Sequence, residues 1–122
     1  MFHGDILKLT KANKNFRKVL YTGKTSQLVV MNIRPKEDIG METHDDVDQI
    51  LFFESGTGKA IVGGKTKPLK AGTVVFVPAG TAHNFVNTGK TDLKIYTVYS
   101  PPEHADGTIH RTKKDAEKEE HH

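Results

Sequence analysis

From residue 16 to residue 100 the chain repeats one pattern: a short run of β-branched, aromatic and alternating polar residues, then a turn signal. Such punctuation predicts strands at 16–22, ending at Gly23, and at 27–34, stopped by Pro35. A third strand is expected at 49–54, closed by Ser55-Gly56-Thr57-Gly58. Residues 59–62 and 65–69 read as a hairpin, because Gly63-Gly64 tolerates the positive φ that two-residue hairpin turns demand. Further strands follow at 73–77, 83–87 and 93–100, the last halted by Pro101-Pro102. About eight short strands at regular spacing, with almost no helical period between them, predict an all-β sandwich or barrel. Residues 112–120 could form a short helix, but with so few apolar positions it is expected to be frayed or disordered. The expected organisation is an N-terminal segment 1–15, a β-barrel domain 16–100 and a tail 101–122, whose His121-His122 is either a tag remnant or natural.

Composition narrows the picture. A chain of 122 residues, 35% hydrophobic and 27% charged, suits one globular domain. The net charge is +3, but the lysines are scattered and no basic stripe is interleaved with aromatics, which argues against nucleic acid as a partner. With no cysteine, disulfides, thiolate metal sites and cysteine nucleophiles are excluded. The N-terminal residues are too polar for a secretory signal, and the longest apolar runs are too short to span a bilayer. The expectation is a cytoplasmic protein without a membrane partner.

The strongest chemical signal is the stretch from Gly72 to Asn87. Gly72 turns the chain into a strand, Pro78 ends it, and Gly80 permits a tight reversal that delivers His83 onto the next strand. Asn87 shares the strand parity of His83, and its amide can satisfy turn backbone groups. The fixed points Gly72, Pro78, Gly80, His83 and Asn87 resemble the second motif of the cupins. By this resemblance the chain is similar to small single-domain, RmlC-like cupins, and the expected fold is a double-stranded β-helix, or jelly-roll, barrel with a short irregular or helical C-terminal tail. The resemblance makes His83 a metal ligand; the alternative is a buried, hydrogen-bonded histidine.

An altered first cupin motif lies upstream. The usual pattern runs His-x-His, three or four residues, Glu, six residues, Gly. Counted back from Gly56, the glutamate position is Gln49, the second histidine is His44 and the first is Glu42. The resemblance thus implies Glu42, His44, Gln49 and His83 around one divalent ion. Glu42 and His44 share a strand face by parity, whereas Gln49 has the opposite parity, so Asp45–Asp48 must turn or bulge for Gln49 to join them. Alternatively Glu42 is a surface carboxylate with Asp46 or Asp48 nearer the metal, and Gln49 only orients His44. Nitrogen and oxygen ligands without sulfur suit manganese, iron, nickel, cobalt or zinc.

The implied function is that of a metal-binding cupin acting on a small oxygen-rich anionic metabolite, of dioxygenase, isomerase or lyase type. The alternative is a non-catalytic cupin that binds a small sugar or carboxylate. The resemblance also implies a homodimer, with residues 16–22 as an open edge strand for exchange. His104 and His110 are placed at a pocket mouth or in a solvated tail. Phe52, Phe53, Phe76 and Phe85 are assigned to core or pocket wall, and one of Tyr96 and Tyr99 is expected to face inward.

Overall fold

A computed structural model describes residues 1–120; the expectation for His121-His122 lies outside the described residues. The chain begins with a helix, α1 (Ile6–Ala12), and continues through β1 (Arg17–Thr22), β2 (Gln27–Ile33), β3 (Asp48–Ser55), β4 (Gly58–Val62), β5 (Lys65–Leu69), β6 (Val74–Val77), β7 (His83–Asn87), β8 (Leu93–Ser100) and β9 (Ile109–His110) to α2 (Lys113–Glu120). Two antiparallel sheets form, one in the order β6-β3-β8-β2-β1-β9 and one in the order β5-β4-β7. The all-β barrel expected from the turn pattern, and the jelly-roll form that the resemblance implied, are therefore present. Among the described residues no helix is long and apolar enough to cross a membrane.

Strand parity decides what fills the barrel. Residues directly opposite in an antiparallel pair project to the same face. Phe53, Ile95 and Met31 form one inward row across β3, β8 and β2, and Leu51, Thr97 and Val29 form the next. With Phe85 from the smaller sheet these residues are nearly or wholly buried. One row further on, the inward set changes character: Gln49, Tyr99 and Gln27 lie side by side, all at most 2% exposed. The barrel is thus apolar over most of its length and polar at one end.

Two turns need glycine for stated reasons. Gly63 and Gly64 have φ of 57° and 79°, the hairpin geometry expected of them. Gly56 has φ of 95°, and a Cβ there would stand 2.6 Å from the Asp92 carbonyl oxygen. Asn87 does what its position suggested. Its amide nitrogen donates to the carbonyls of Ile33 (2.8 Å) and Thr91 (2.9 Å), and its side-chain oxygen accepts from Gly89 N–H (2.9 Å).

Four expectations need correction. Residues 6–12 form a helix that the β-dominated pattern hid; Asp5 caps it by accepting from the N–H groups of Leu7 and Lys8. The helix packs against β8, β2 and β3. Second, residues 16–22 are an open edge only in part: β1 pairs with β2, and on its other side Arg17 and Lys18 are covered by β9. Third, the tail is ordered, since α2 buries Ala116 and ties Lys113 to Asp38. Fourth, of the four phenylalanines assigned to core or pocket wall only Phe53 and Phe85 are core; Phe76, 53% exposed, and Phe52, stacked on Tyr96, line surface grooves away from the inward rows.

Replacing Asn87 with alanine removes three hydrogen bonds and leaves two carbonyls without their donor. The expected loss of stability is about 3 kcal/mol, read as a lower denaturation midpoint with unchanged metal binding.

Candidate metal centre

Backbone pairing assembles the two motifs. Glu42 and His83 form an isolated antiparallel bridge, each N–H donating to the other's carbonyl at 2.9 Å. That pairing sets their side chains on one face. Two residues on, the His44 carbonyl accepts from Gly80 N–H at 2.8 Å, so the reversal at Pro78-Ala79-Gly80 also holds His44. Donor atoms of Glu42, His44 and His83 consequently lie within 4.8 Å of one another. Asp45 and Asp46 form the turn that Gln49's parity required. Asp46 is exposed, and the Asp48 carboxylate accepts from Ala79 N–H at 2.8 Å, so neither joins this group.

Hydrogen bonds fix what each ring can offer. The Nδ1 of His83 lies 2.9 Å from the Thr81 carbonyl, which can only accept, so Nδ1 carries the proton. Its Nε2 therefore presents a lone pair, and that atom is buried with no partner. His44 stands between two carboxylates, with Nε2 2.9 Å from Glu42 and Nδ1 3.3 Å from Glu103. The hydrogen bond to Glu42 raises the His44 pKa against the opposing effect of burial. Burial lowers that of His83, partly offset by the bond to Thr81. The two rings are 5.3 Å apart between centroids.

This donor set fits a divalent cation. The His83 lone pair has no other use in the interior, and the 2.9 Å between the Glu42 and His44 donors is near the roughly 3 Å edge spanned by adjacent ligands at bond lengths of about 2.1 Å. Glu103 holds the far side of His44, as carboxylates commonly hold metal-bound imidazoles.

Gln49 sits on β3, 2% exposed, in the polar row opposite Tyr99. Its amide orientation follows from its partner. Thr97 Oγ1 donates to the Ile50 carbonyl at 2.7 Å, so it must accept from Gln49, at 3.1 Å. The atom facing Thr97 is Nε2, and the carbonyl oxygen is the one Gln49 can offer elsewhere.

The profile of the cupin domain matches residues 29–99. The chain belongs to the cupin family. It is 44% identical over 118 residues to the uncharacterized Bacillus subtilis protein YrkC, covering 92% of this chain and 63% of that relative's length. A crystal structure of the protein BH2720 from Bacillus halodurans shares the fold with a TM-score of 0.94 and 39% identity, covering 96% of this chain and 93% of that one. An oxalate-binding protein of Thermotoga maritima is 35% identical over 68 residues, 56% of each chain.

This cupin has polar interior residues that sequence reasoning missed. Arg17 is 3% exposed, and its Nη1 lies 3.2 Å from Nδ1 of His110. His110 is buried, which corrects its placement in a solvated tail, and its other nitrogen bonds Glu119 of α2. Gln27 is 1% exposed; it accepts from the His104 N–H (3.0 Å) and donates to the His104 carbonyl (2.7 Å), pinning the tail across the barrel end. Tyr99 faces inward and Tyr96 does not. The available signal was parity: Arg17 matches Val19, and Gln27 matches Val29 and Met31, so each is a polar residue on an otherwise apolar stripe. Arg17, His44, Glu103, His104, His110, Ala116 and Glu119 line a cavity of about 220 Å³. A larger groove, about 380 Å³, lies between β5 and β6, lined by residues such as Lys65, Val74 and Phe76 rather than by histidines.

Burial pushes Tyr99 up to about 12. His104 is pushed down to about 3, first by burial and then by the positive charge of Arg17. The folded protein therefore binds no proton at His104 where an unfolded chain would, so this residue's contribution to stability falls as pH drops below the ordinary histidine range. In an NMR titration the His104 ring resonances are expected to keep neutral-imidazole shifts from pH 7 to about pH 4.

Proposed function

We propose that this cupin holds one divalent cation through Glu42, His44 and His83, with the Gln49 carbonyl oxygen as a fourth ligand, and uses it to bind a small oxygen-rich anion. The observation that carries this reading is the buried, unpartnered Nε2 of His83, facing a group of donors already gathered by backbone pairing. One carboxylate on a divalent ion leaves the centre near +1, which attracts an anionic ligand. The bound cation would supply Lewis acidity to the oxygens of that ligand. The chain's own residues orient it: Glu103 fixes the His44 ring and the Thr81 carbonyl fixes the His83 tautomer. Tyr99, held protonated by burial, supplies a hydrogen-bond donor to the same interior.

Chemistry of dioxygenase, isomerase or lyase type follows if the ligand is consumed. Capture without turnover is the second reading. The similarity to the Thermotoga oxalate-binding protein favours capture. The structural likeness to a Thermotoga protein described as a predicted oxalate decarboxylase (TM-score 0.61, 32% identity, 65% of this chain and 69% of that one) favours turnover of a small acid. Product analysis of metal-loaded protein with oxalate separates the two: ligand recovered intact indicates capture.

His83→Ala is expected to abolish stoichiometric metal while circular dichroism remains that of the barrel, checked by elemental analysis of untagged protein. Unchanged metal content would remove His83 from the site. Gln49→Glu adds a full charge at the cation and is expected to tighten metal binding by about tenfold or more. Weaker binding in a chelator competition would show that Gln49 does not touch the ion.

A further inference from the structure

Arg17 is a buried cation without an anion. Its side chain is 3% exposed, yet among the described residues no carboxylate forms a salt bridge with it. Its neighbours are neutral groups. It lies 5.2 Å over the Phe16 ring, stands near the Tyr99 hydroxyl, and donates to Nδ1 of His110. Because a guanidinium can only donate, that last contact makes Nδ1 of His110 the acceptor and places its ring proton on Nε2, toward Glu119. The nearest carboxylate in this chain of contacts is thus one imidazole away. Buried charges are ordinarily paired directly, since desolvation is costly.

The interior also holds unmatched nitrogens. Arg17 Nε, His104 Nε2 and His83 Nε2 are all buried and without a hydrogen-bond partner. They belong to one set of touching groups. The His44 ring meets those of His83 (5.3 Å) and Tyr99 (6.2 Å), and the Tyr99 ring meets that of His104 (5.1 Å). Arg17, His44 and His104 line the same 220 Å³ cavity, roofed by Ala116 and Glu119 of α2. The two carboxylates on its wall are already engaged, Glu103 by His44 and Glu119 by His110.

We propose that Arg17 and His104 receive one carboxylate of a small dicarboxylic acid whose other end reaches the Glu42–His44–His83 centre. This rests on the metal reading above and names the class of ligand for it. The planar guanidinium matches a carboxylate by parallel N–H···O bonds. The carboxylate supplies the negative charge that Arg17 lacks, and the neutral His104 ring contributes one donor. A monocarboxylate satisfies only one of the two receptors, so two anionic ends linked by a short carbon chain are selected.

Isothermal titration calorimetry with succinate tests this, with acetate and inorganic phosphate as comparison probes and metal content measured on every sample. Metal-loaded wild type is expected to bind succinate more tightly than either. Arg17→Gln and His104→Ala should each weaken succinate roughly tenfold to a hundredfold, at unchanged metal content. Arg17 also holds His110, so His104→Ala keeps the question answerable if Arg17→Gln does not fold. Wild-type affinity in a folded, metal-replete variant overturns the subsite and leaves the metal centre standing. Phosphate binding more tightly than succinate also overturns it. If wild type takes up no metal, the metal reading fails by itself. Acetate titrated into metal-free protein then decides the subsite: binding lost in His104→Ala sustains it, and no binding to wild type refutes it.

Discussion

A polar atom sealed inside a closed sheet has no water to fall back on, and this constraint organises the whole polar end of the barrel. Most hydrogen bonds made there have forced directions. The Gln49 amide donates to Thr97, whose hydroxyl donates to the Ile50 carbonyl. Arg17 donates to His110, which must then donate to Glu119. Gln27 answers both the N–H and the carbonyl of His104. Because these chains leave no freedom of tautomer or amide orientation, the nitrogens left over are informative. A buried lone pair on His83 and a buried guanidinium without a counter-charge ask for different things, a cation and an anion, in one interior.

The division of the barrel into an apolar body and a polar end follows from strand register. Moving one inward row along the sheet changes Leu51, Thr97 and Val29 into Gln49, Tyr99 and Gln27. The apolar rows, with Phe53 and Phe85, stabilise the fold independently of the site, so ligands can be altered without emptying the core. The polar row is closed by the tail, which Gln27 pins and which β9 and α2 continue. The expected frayed tail failed because residues 112–120 were judged by their own hydrophobicity. What docks α2 is mainly partners supplied by the barrel: Asp38 for Lys113 and His110 for Glu119, around one small apolar contact at Ala116.

How much was legible in the sequence varied with the range of the interaction. The strands, the Gly63-Gly64 hairpin, the capping role of Asn87 and the meeting of His44 with His83 all follow from local turn chemistry and motif spacing. Helix α1 was missed since its seven residues carry barely two turns of periodicity, although Asp5 is a proper N-cap. Arg17 and Gln27 were missed because a single polar residue on a strand reads as solvated unless its parity is weighed against Val19 or Val29. The burial of His104 and His110 could not be read, because it depends on contacts with residues 77 and 93 positions away in sequence. Exposed Phe76 shows the converse: hydrophobicity alone does not tell an inward residue of β6 from an outward one.

The two departures from the family's first motif are coupled, and the hydrogen-bond directions give the physical reason. The usual pattern places a carboxylate where Gln49 stands and an imidazole where Glu42 stands; here the carboxylate is at 42 and an amide replaces it at 49, so the number of carboxylates is unchanged while one imidazole is lost. At position 49 the neighbour is a Thr97 oxygen whose own proton is already directed to Ile50, so it presents lone pairs. An amide N–H is attracted to that oxygen, whereas a carboxylate would be repelled unless the hydroxyl turned. At position 42 the partner is His44, held on its far side by Glu103 and favourable to negative charge. Negative charge therefore sits on the half-buried edge beside β7 rather than on the deeply buried β3, where its desolvation would cost more. In the centre proposed above, with Glu42 as the anionic ligand, the overall charge and the attraction for an anion would be kept while the carboxylate stands at position 42 instead of 49.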